Sequence, residues 1–267
     1  ILWSNAANIS SGAANNEIYM SAGSTLSSGG GDIVLAGGLD DGGTSSGISG
    51  LTANDGIPDG FAYRSYSNGG VYLAGQINSA GGQVIIRGQG SSNAAGIITN
   101  GTWSVSSGAG LTDIHGIATT QSGVNFTSSG TGAITTTSGN INIVGSADSS
   151  GHSGSLPYQG VQTSGAGTVT ISSASGNISL IGSGSRYGVG FGTSTTGSSS
   201  TTTKISSGSS DANAIEVTGT GGHGITLRGT RSTLQNTNSG GVSVEGNSTA
   251  WSTTIYSPVD ILAAGST

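Results

Sequence analysis

An all-β chain coiled in parallel, a β-helix (β-solenoid) with loop insertions, is the fold this sequence predicts, on three observations. The first is a repeat. The stretch Gly176, Asn177, Ile178, Ser179, Leu180, Ile181, Gly182 returns at Gly139 to Gly145 and Gly82 to Gly88 and, shortened, at Gly224 to Gly229 and Gly241 to Gly246. The second is the spacing inside it. Ile178 and Leu180, Ile141 and Ile143, Ile225 and Leu227, and Val242 and Val244 stand two apart, the period of a strand with one buried face and not that of a helix. The third is composition. Of 267 residues 52 are Gly and 3 are Pro, with 7% charged and 5% aromatic, so the large side chains suit a thin core drawn out along an axis better than one compact core. A β-sandwich or propeller, the main competitor, calls for more aromatics and evenly sized blades.

Taken in order, residues 1–30 carry Ile18 and Met20 and then a Ser/Gly corner. Gly30 to Gly38 encloses Ile33, Val34, Leu35 and Ala36, a continuous apolar run that fits a strand covered on both faces. Residues 39–68 break the rhythm with Asp40, Asp41, Asp55, Asp59, Pro58 and a group of rings, and read as an inserted loop outside the regular body. Strands resume at Val71 with Leu73, at Gly82 to Gly88, at Gly96 to Thr99 and at Trp103 with Val105. A second repeat family sets Gly before an aliphatic residue: Gly116 and Ile117, Gly160 and Val161, Gly188 and Val189, Gly224 and Ile225. From Gly160 to Gly182 three short strands follow one another, one coil's worth. Residues 192–208, almost all Ser, Thr and Gly around Lys204 and Ile205, read as a loop or a polar face. The whole of 1–267 is then one solenoid segment, and both ends read as cuts in a longer chain.

Charge and cysteine count narrow the function classes. Six Lys and Arg stand against 12 Asp and Glu for a net charge of -6, which provides no basic face for nucleic acid. No Cys is present, so neither disulfides nor thiolate zinc is expected to hold the chain. No long apolar run predicts insertion in a membrane, and no charged-then-apolar leader is visible.

The glycine-framed strands Gly139 to Gly145 and Gly176 to Gly182, the Gly30 to Gly38 strand, and Gly70 to Gly90 resemble the repeat region of filamentous-haemagglutinin-type exoproteins, the large bacterial surface proteins of two-partner secretion. The resemblance covers most of the chain. It implies a right-handed parallel β-helix and a secreted, extracellular address at a bacterial surface. The insertion at 39–68 departs from the pattern, and so does the absence of the amino-terminal secretion domain, which makes this a stalk segment beyond it.

Candidate chemistry is sparse. Asp40, Asp41, Asp55 and Asp59 offer hard oxygen ligands close in sequence, as Ca²⁺ prefers, and residues 54–60 look like part of a thrombospondin-type-3 calcium repeat; a solvated acidic loop is the plainer reading, with no cofactor. Phe61, Tyr63, Arg64 and Tyr66 could stack on a sugar ring or pack the insertion onto the body, and packing is favoured. His115, His152 and His223 lack metal-ligand spacing and read as surface or corner residues. The remaining carboxylates fall about one per coil, too thin for the paired acids of a polysaccharide-cleaving enzyme, so no enzyme is predicted. Thr135 to Thr137, Thr168 with Thr170, and Thr201 to Thr203 invite a lattice-binding reading such as ice, but in sequence they share no register.

These expectations converge on a structural or adhesive shaft of roughly ten coils, about 50 Å long at about 4.8 Å per coil, self-associating or continued by neighbouring repeats into a filament or sheath. The alternative is a carbohydrate-binding or carbohydrate-cleaving surface protein that contacts surface glycans through 39–68.

Overall fold

The computed structural model describes residues 1–4, 16–44, 51–91, 93–147, 159–194, 197–248, 254–255 and 258–263, and among them every regular element is a strand. Three runs of strands build the molecule, and the chain visits them in turn. An outbound run holds Leu2–Ser4, Ile33–Gly37, Val84–Gly90, Thr112–Ala118, Ile141–Ala147, the first halves of Ile178–Phe191 and Ile215–Leu227, and Val242–Ser248. A return run holds Ile18–Met20, Gly69–Leu73, Ala95–Thr99, Val124–Ser128, Gln159–Gly165, the second halves of the two long strands, and Thr254–Ile255. A base run holds Thr25–Ser27, Gln76–Asn78, Trp103–Gly108, Thr131–Thr136, Thr168–Ser173, Thr202–Ser207, Arg231–Asn236 and Val259–Ala263. Each strand pairs in parallel with its counterpart one circuit later, while Thr193–Ser194 with Gly197–Ser198 is an antiparallel pair.

The period-2 pattern fixes what faces inward. Ile114, Ile143, Leu180 and Val217 are ladder neighbours on the outbound run, and Val105, Ile134, Ile171, Ile205 and Leu234 on the base run. All are at most 1% exposed. Burial of each such side chain contributes about 2 kcal/mol, and the core is the sum of these columns rather than a central cluster.

The expected right-handed parallel β-helix is corrected by the sheet order. In that architecture the outbound and return strands lie on separate faces parted by corners. Here Ile178–Phe191 and Ile215–Leu227, 14 and 13 residues long, each run through both. One 15-stranded sheet therefore goes out along one run and back along the other, nearly closing on itself, and a separate 8-stranded sheet completes the body. The physical reason lies in two facing columns of glycine. Gly88, Gly116, Gly145, Gly182, Gly219 and Gly246 are successive ladder partners on the outbound run. Opposite them stand Gly96, Gly123, Gly160, Gly188 and Gly224 of the return run. A Cβ on Gly182 would lie 2.6 Å from the Gly188 carbonyl carbon and 2.8 Å from Val189 Cγ2, so backbone touches backbone and no side chain separates the runs. Sequence reading put Gly116 in the second family and closed a main repeat at Gly229; register moves Gly116 into the outbound column and gives that place to Gly219.

The corner from base to outbound run is held by hydroxyls. Ser107 Oγ donates to Gly110 O (2.6 Å), Thr136 Oγ1 to Gly139 O (2.6 Å), Ser173 Oγ to Gly139 O (3.1 Å) and Ser207 Oγ to Gly176 O (2.8 Å). Each satisfies a carbonyl that turns out of the ladder. Within residues 192–208, Thr202–Ser207 is a base strand with Thr203, Ile205 and Ser207 inward. Among the described residues the base run has eight strands, about 35 Å at the strand spacing.

Candidate functional site

The insertion is smaller than 39–68, and it splits a strand. Ile33–Gly37 pairs with the first half of Val84–Gly90, and Ala62–Arg64 pairs in parallel with Gly88, Gln89 and Gly90 of the same strand. The chain thus leaves the outbound run at Gly38 and rejoins it in line at Ala62, which is fully buried. Closure at the neck is tight: Gly37 bridges Gly60, and Asp59 N donates to Leu39 O at 2.9 Å. Ile57 packs outside the run on Val34, Ala36 and Ile85, which explains the unbroken apolar run in the sequence. Ile33 and Leu35 face the core, while Val34 and Ala36 face the insertion.

The predicted cation ligands are engaged separately. Asp40 accepts from the backbone N–H groups of Asp55 (3.3 Å) and Gly56 (2.7 Å), and Asp55 Oδ1 accepts from Ile57 N at 2.8 Å. Asp59, 2% exposed, accepts from Gly42 N at 2.7 Å. The Asp41 carbonyl accepts from Thr44 Oγ1 at 2.9 Å. Among the described residues no three of His, Asp and Glu converge as a group able to hold a metal ion. The four predicted stacking residues part company too. Tyr63 OH shares a hydrogen bond with Ser91 Oγ (2.8 Å), Arg64 pairs with Glu17 (2.8 Å) and donates to Tyr66 O (2.7 Å), and Phe61 is half-buried. Tyr66 alone of the four is exposed, at 64%.

Register assembles a polar cluster that sequence reading missed. Arg87 and His115 are ladder partners, as are Asp113 and Asn142. Arg87, 2% exposed, donates to Pro58 O at 2.9 Å, its Nη1 lies 3.9 Å from Asp59 Oδ1, and its Nε has no hydrogen-bond partner. Burial lowers its pKa, opposed by the charges of Asp113, Asp59 and Asp55. Asp113 Oδ1 lies 3.0 Å from His115 Nε2 and accepts from Asn142 Nδ2 at 2.7 Å. Burial raises the pKa of Asp113, but hydrogen bonds and charge from His115, Asn142 and Arg87 outweigh it and the net shift is downward. Within the cluster it is Arg87 that pins the return arm of the insertion, through Pro58 O and Asp59, to the outbound run. The signal was in the sequence only once the glycine column was aligned, because alignment on Gly88, Gly116 and Gly145 brings these residues together.

Other groups gather around Tyr187, which is 2% exposed. His223, its ladder partner, lies against its ring at 5.2 Å between centroids, and Arg186 and Arg228 stand 5.0 and 5.9 Å from the ring centre. His115 and His223 are therefore both half-buried partners of other side chains, and His152 lies outside the described residues. On the outer base face the threonines form no single column: Thr131, Thr168 and Thr202 are ladder neighbours, but Thr135 pairs with Ser172, which pairs with Ser206, and Thr170 pairs with Lys204. Exposed Lys204 interrupts the column between them.

The two ends of the stack differ from its sides. Among the described large hydrophobic residues that are exposed, all but Leu39, Tyr66 and Ile181 belong to the terminal strands or adjoin them. Val244 is 39% exposed, Ile255 62%, Ile261 52% and Leu262 49%, and at the other end Leu2 is 42% exposed. Among the described residues no helix is long and apolar enough to cross a membrane. No protein-family model, no curated protein and no solved structure matches the chain.

Proposed function

We propose that the chain is a structural or adhesive shaft segment of a large secreted bacterial surface protein, its task being to build length. The observation that carries this reading is the continuity of the inward columns. One column passes from Leu35 through Ile86, Ile114, Ile143, Leu180 and Val217 to Val244 without changing register. A body of this kind grows by adding circuits, and each circuit needs only its neighbours. The side chains with chemistry support the same reading: Arg87 and Asp59 bind the backbone of the insertion, and Asp113, His115 and Asn142 bind one another. The carbohydrate alternative has less to stand on, since Tyr63 and Arg64 are occupied within the body.

Duplication of one circuit, residues 131–167, tests the reading. The lengthened chain is expected to fold with the parent's stability and to extend by about 4.8 Å along the stack, the strand spacing, as measured by small-angle scattering. A chain that aggregates or loses its β-sheet signal on duplication would argue that the body is a closed unit. Labelling of unpermeabilised cells by antibody against the chain tests the surface address.

A further inference from the structure

We propose that the outer face of the return run binds a small anion, of the size of chloride or formate, between Gln159, Thr226 and Arg228. The site is independent of the shaft reading. It starts from two buried polar groups. Gln159 and Thr226 are both 0% exposed, and neither Gln159 Nε2 nor Thr226 Oγ1 has a hydrogen-bond partner among the described residues. Leaving such a group unsatisfied costs about 1–3 kcal/mol, and buried polar groups as a rule have a partner.

Register brings the two together. Gln159 is the ladder partner of Tyr187, and Thr226 is that of Gly190. Ile225 and Leu227 belong to the core, so Thr226 between them points outward, to the face where Gly190 carries no side chain. That gap admits the Gln159 amide: a Cβ on Gly190 would collide with Gln159 Oε1 and lie 2.7 Å from Thr193 Oγ1. Thr193 Oγ1 donates to Gln159 Oε1 at 2.7 Å, and Gln162 Nε2 donates to Thr193 O at 2.9 Å. The amide is thus fixed by its oxygen beside Gly190, and its NH₂ is left to donate about one strand spacing, 4.8 Å, from the Thr226 column.

The charge around these groups is positive. Arg186 and Arg228 stand 5.0 and 5.9 Å from the ring centre of Tyr187, two of the 6 Lys and Arg in the chain. Arg228 follows Leu227, whose ladder partner Phe191 lies at the far end of the strand from Tyr187. Its side chain therefore folds back along the outer face, past Thr226, to reach that ring. An amide NH₂, a hydroxyl and a guanidinium together suit an acceptor with negative charge. Burial of Gln159, Thr226 and Tyr187 limits the occupant to a few atoms and leaves no room for a glycan chain. Bound there, the anion ties Thr226 and Arg228 of one circuit to Gln159 two circuits earlier.

The full chain is melted in sodium gluconate, an anion too large to enter, with chloride or formate exchanged in at constant ionic strength. The melting temperature is expected to rise by about 3–5 °C for each tenfold increase of the bound ion above its Kd, and chloride NMR lines to broaden in the protein's presence. A response to formate alone assigns the site to a carboxylate, and a response to both assigns it to any small anion. Thr226→Val keeps the shape and removes the hydroxyl, while Gln159→Glu sets a carboxylate of the chain itself beside Arg228, so each reports if the other folds poorly. In every variant that folds, the apparent affinity is expected to fall at least tenfold. No response in the parent, or an unchanged response in a folded variant, would overturn the site.

Discussion

Replacing Gly182 by Ala tests the contact that shapes the whole sheet. The added methyl would sit 2.6 Å from the Gly188 carbonyl carbon and 2.8 Å from Val189 Cγ2, where ordinary contact begins at 3.4 Å. The obstacle is backbone held in two ladders, so no side chain can rotate aside. Relief requires the outbound and return runs to part, which opens the columns on either side. Overpacking of a core costs about 1–3 kcal/mol where side chains can adjust, so a loss of about 3 kcal/mol or more is expected here. Gly31→Ala is the control. Its methyl would meet only Ser28 Cβ, at 3.9 Å, and its φ is not positive, so a change within about 0.5 kcal/mol is expected. Urea unfolding gives the midpoints, and amide exchange over 178–191 reports whether the loss is local, as a stack of circuits requires. Equal stability of the two variants would refute direct backbone contact between the runs.

Three further outcomes follow from the same geometry. Arg87→Met removes the donor to Pro58 O and the cation that faces buried Asp59, which should cost about 3 kcal/mol and raise amide exchange at residues 57–60; unchanged exchange there would show that Arg87 does not hold the insertion. Replacing residues 43–56 by a short Gly/Ser link should leave the melting curve near the parent's, whereas deleting 39–68 should abolish folding because it removes Ala62–Arg64 from the sheet; equal melts for both would place that strand outside the core. Asp113, whose pKa is held down in the fold, contributes stability that is complete above its unfolded pKa of about 3.9 and is lost as pH falls through the lower folded value. His115→Phe should raise the Asp113 titration midpoint followed by carboxyl NMR, and no movement would mean that His115 does not hold that carboxylate.

Legibility of the fold divided along physical lines. The strands were readable because period 2 is a local property, and Ile141 with Ile143 or Ile178 with Leu180 carry it on their own. Parallel pairing followed from the repeats. What could not be read was how the runs meet, because Gly182 and Gly188 look like corner glycines in sequence and are contact glycines in space. Irregular loop lengths hid the register, so Gly219 was passed over for Gly229. The acidic insertion stood out by composition, but its neck did not, since nothing local marks Ala62–Arg64 as the continuation of Ile33–Gly37. The cluster of Arg87, Asp113, His115 and Asn142 needed that register before its members could be seen as neighbours.

Electron microscopy and small-angle scattering of the purified chain beside its circuit-duplicated form test most directly the claim that the chain is built for length. The account predicts rods one stack wide that lengthen by the strand spacing of about 4.8 Å for the added circuit at unchanged width. Particles that widen, or that do not lengthen with the added circuit, would contradict it.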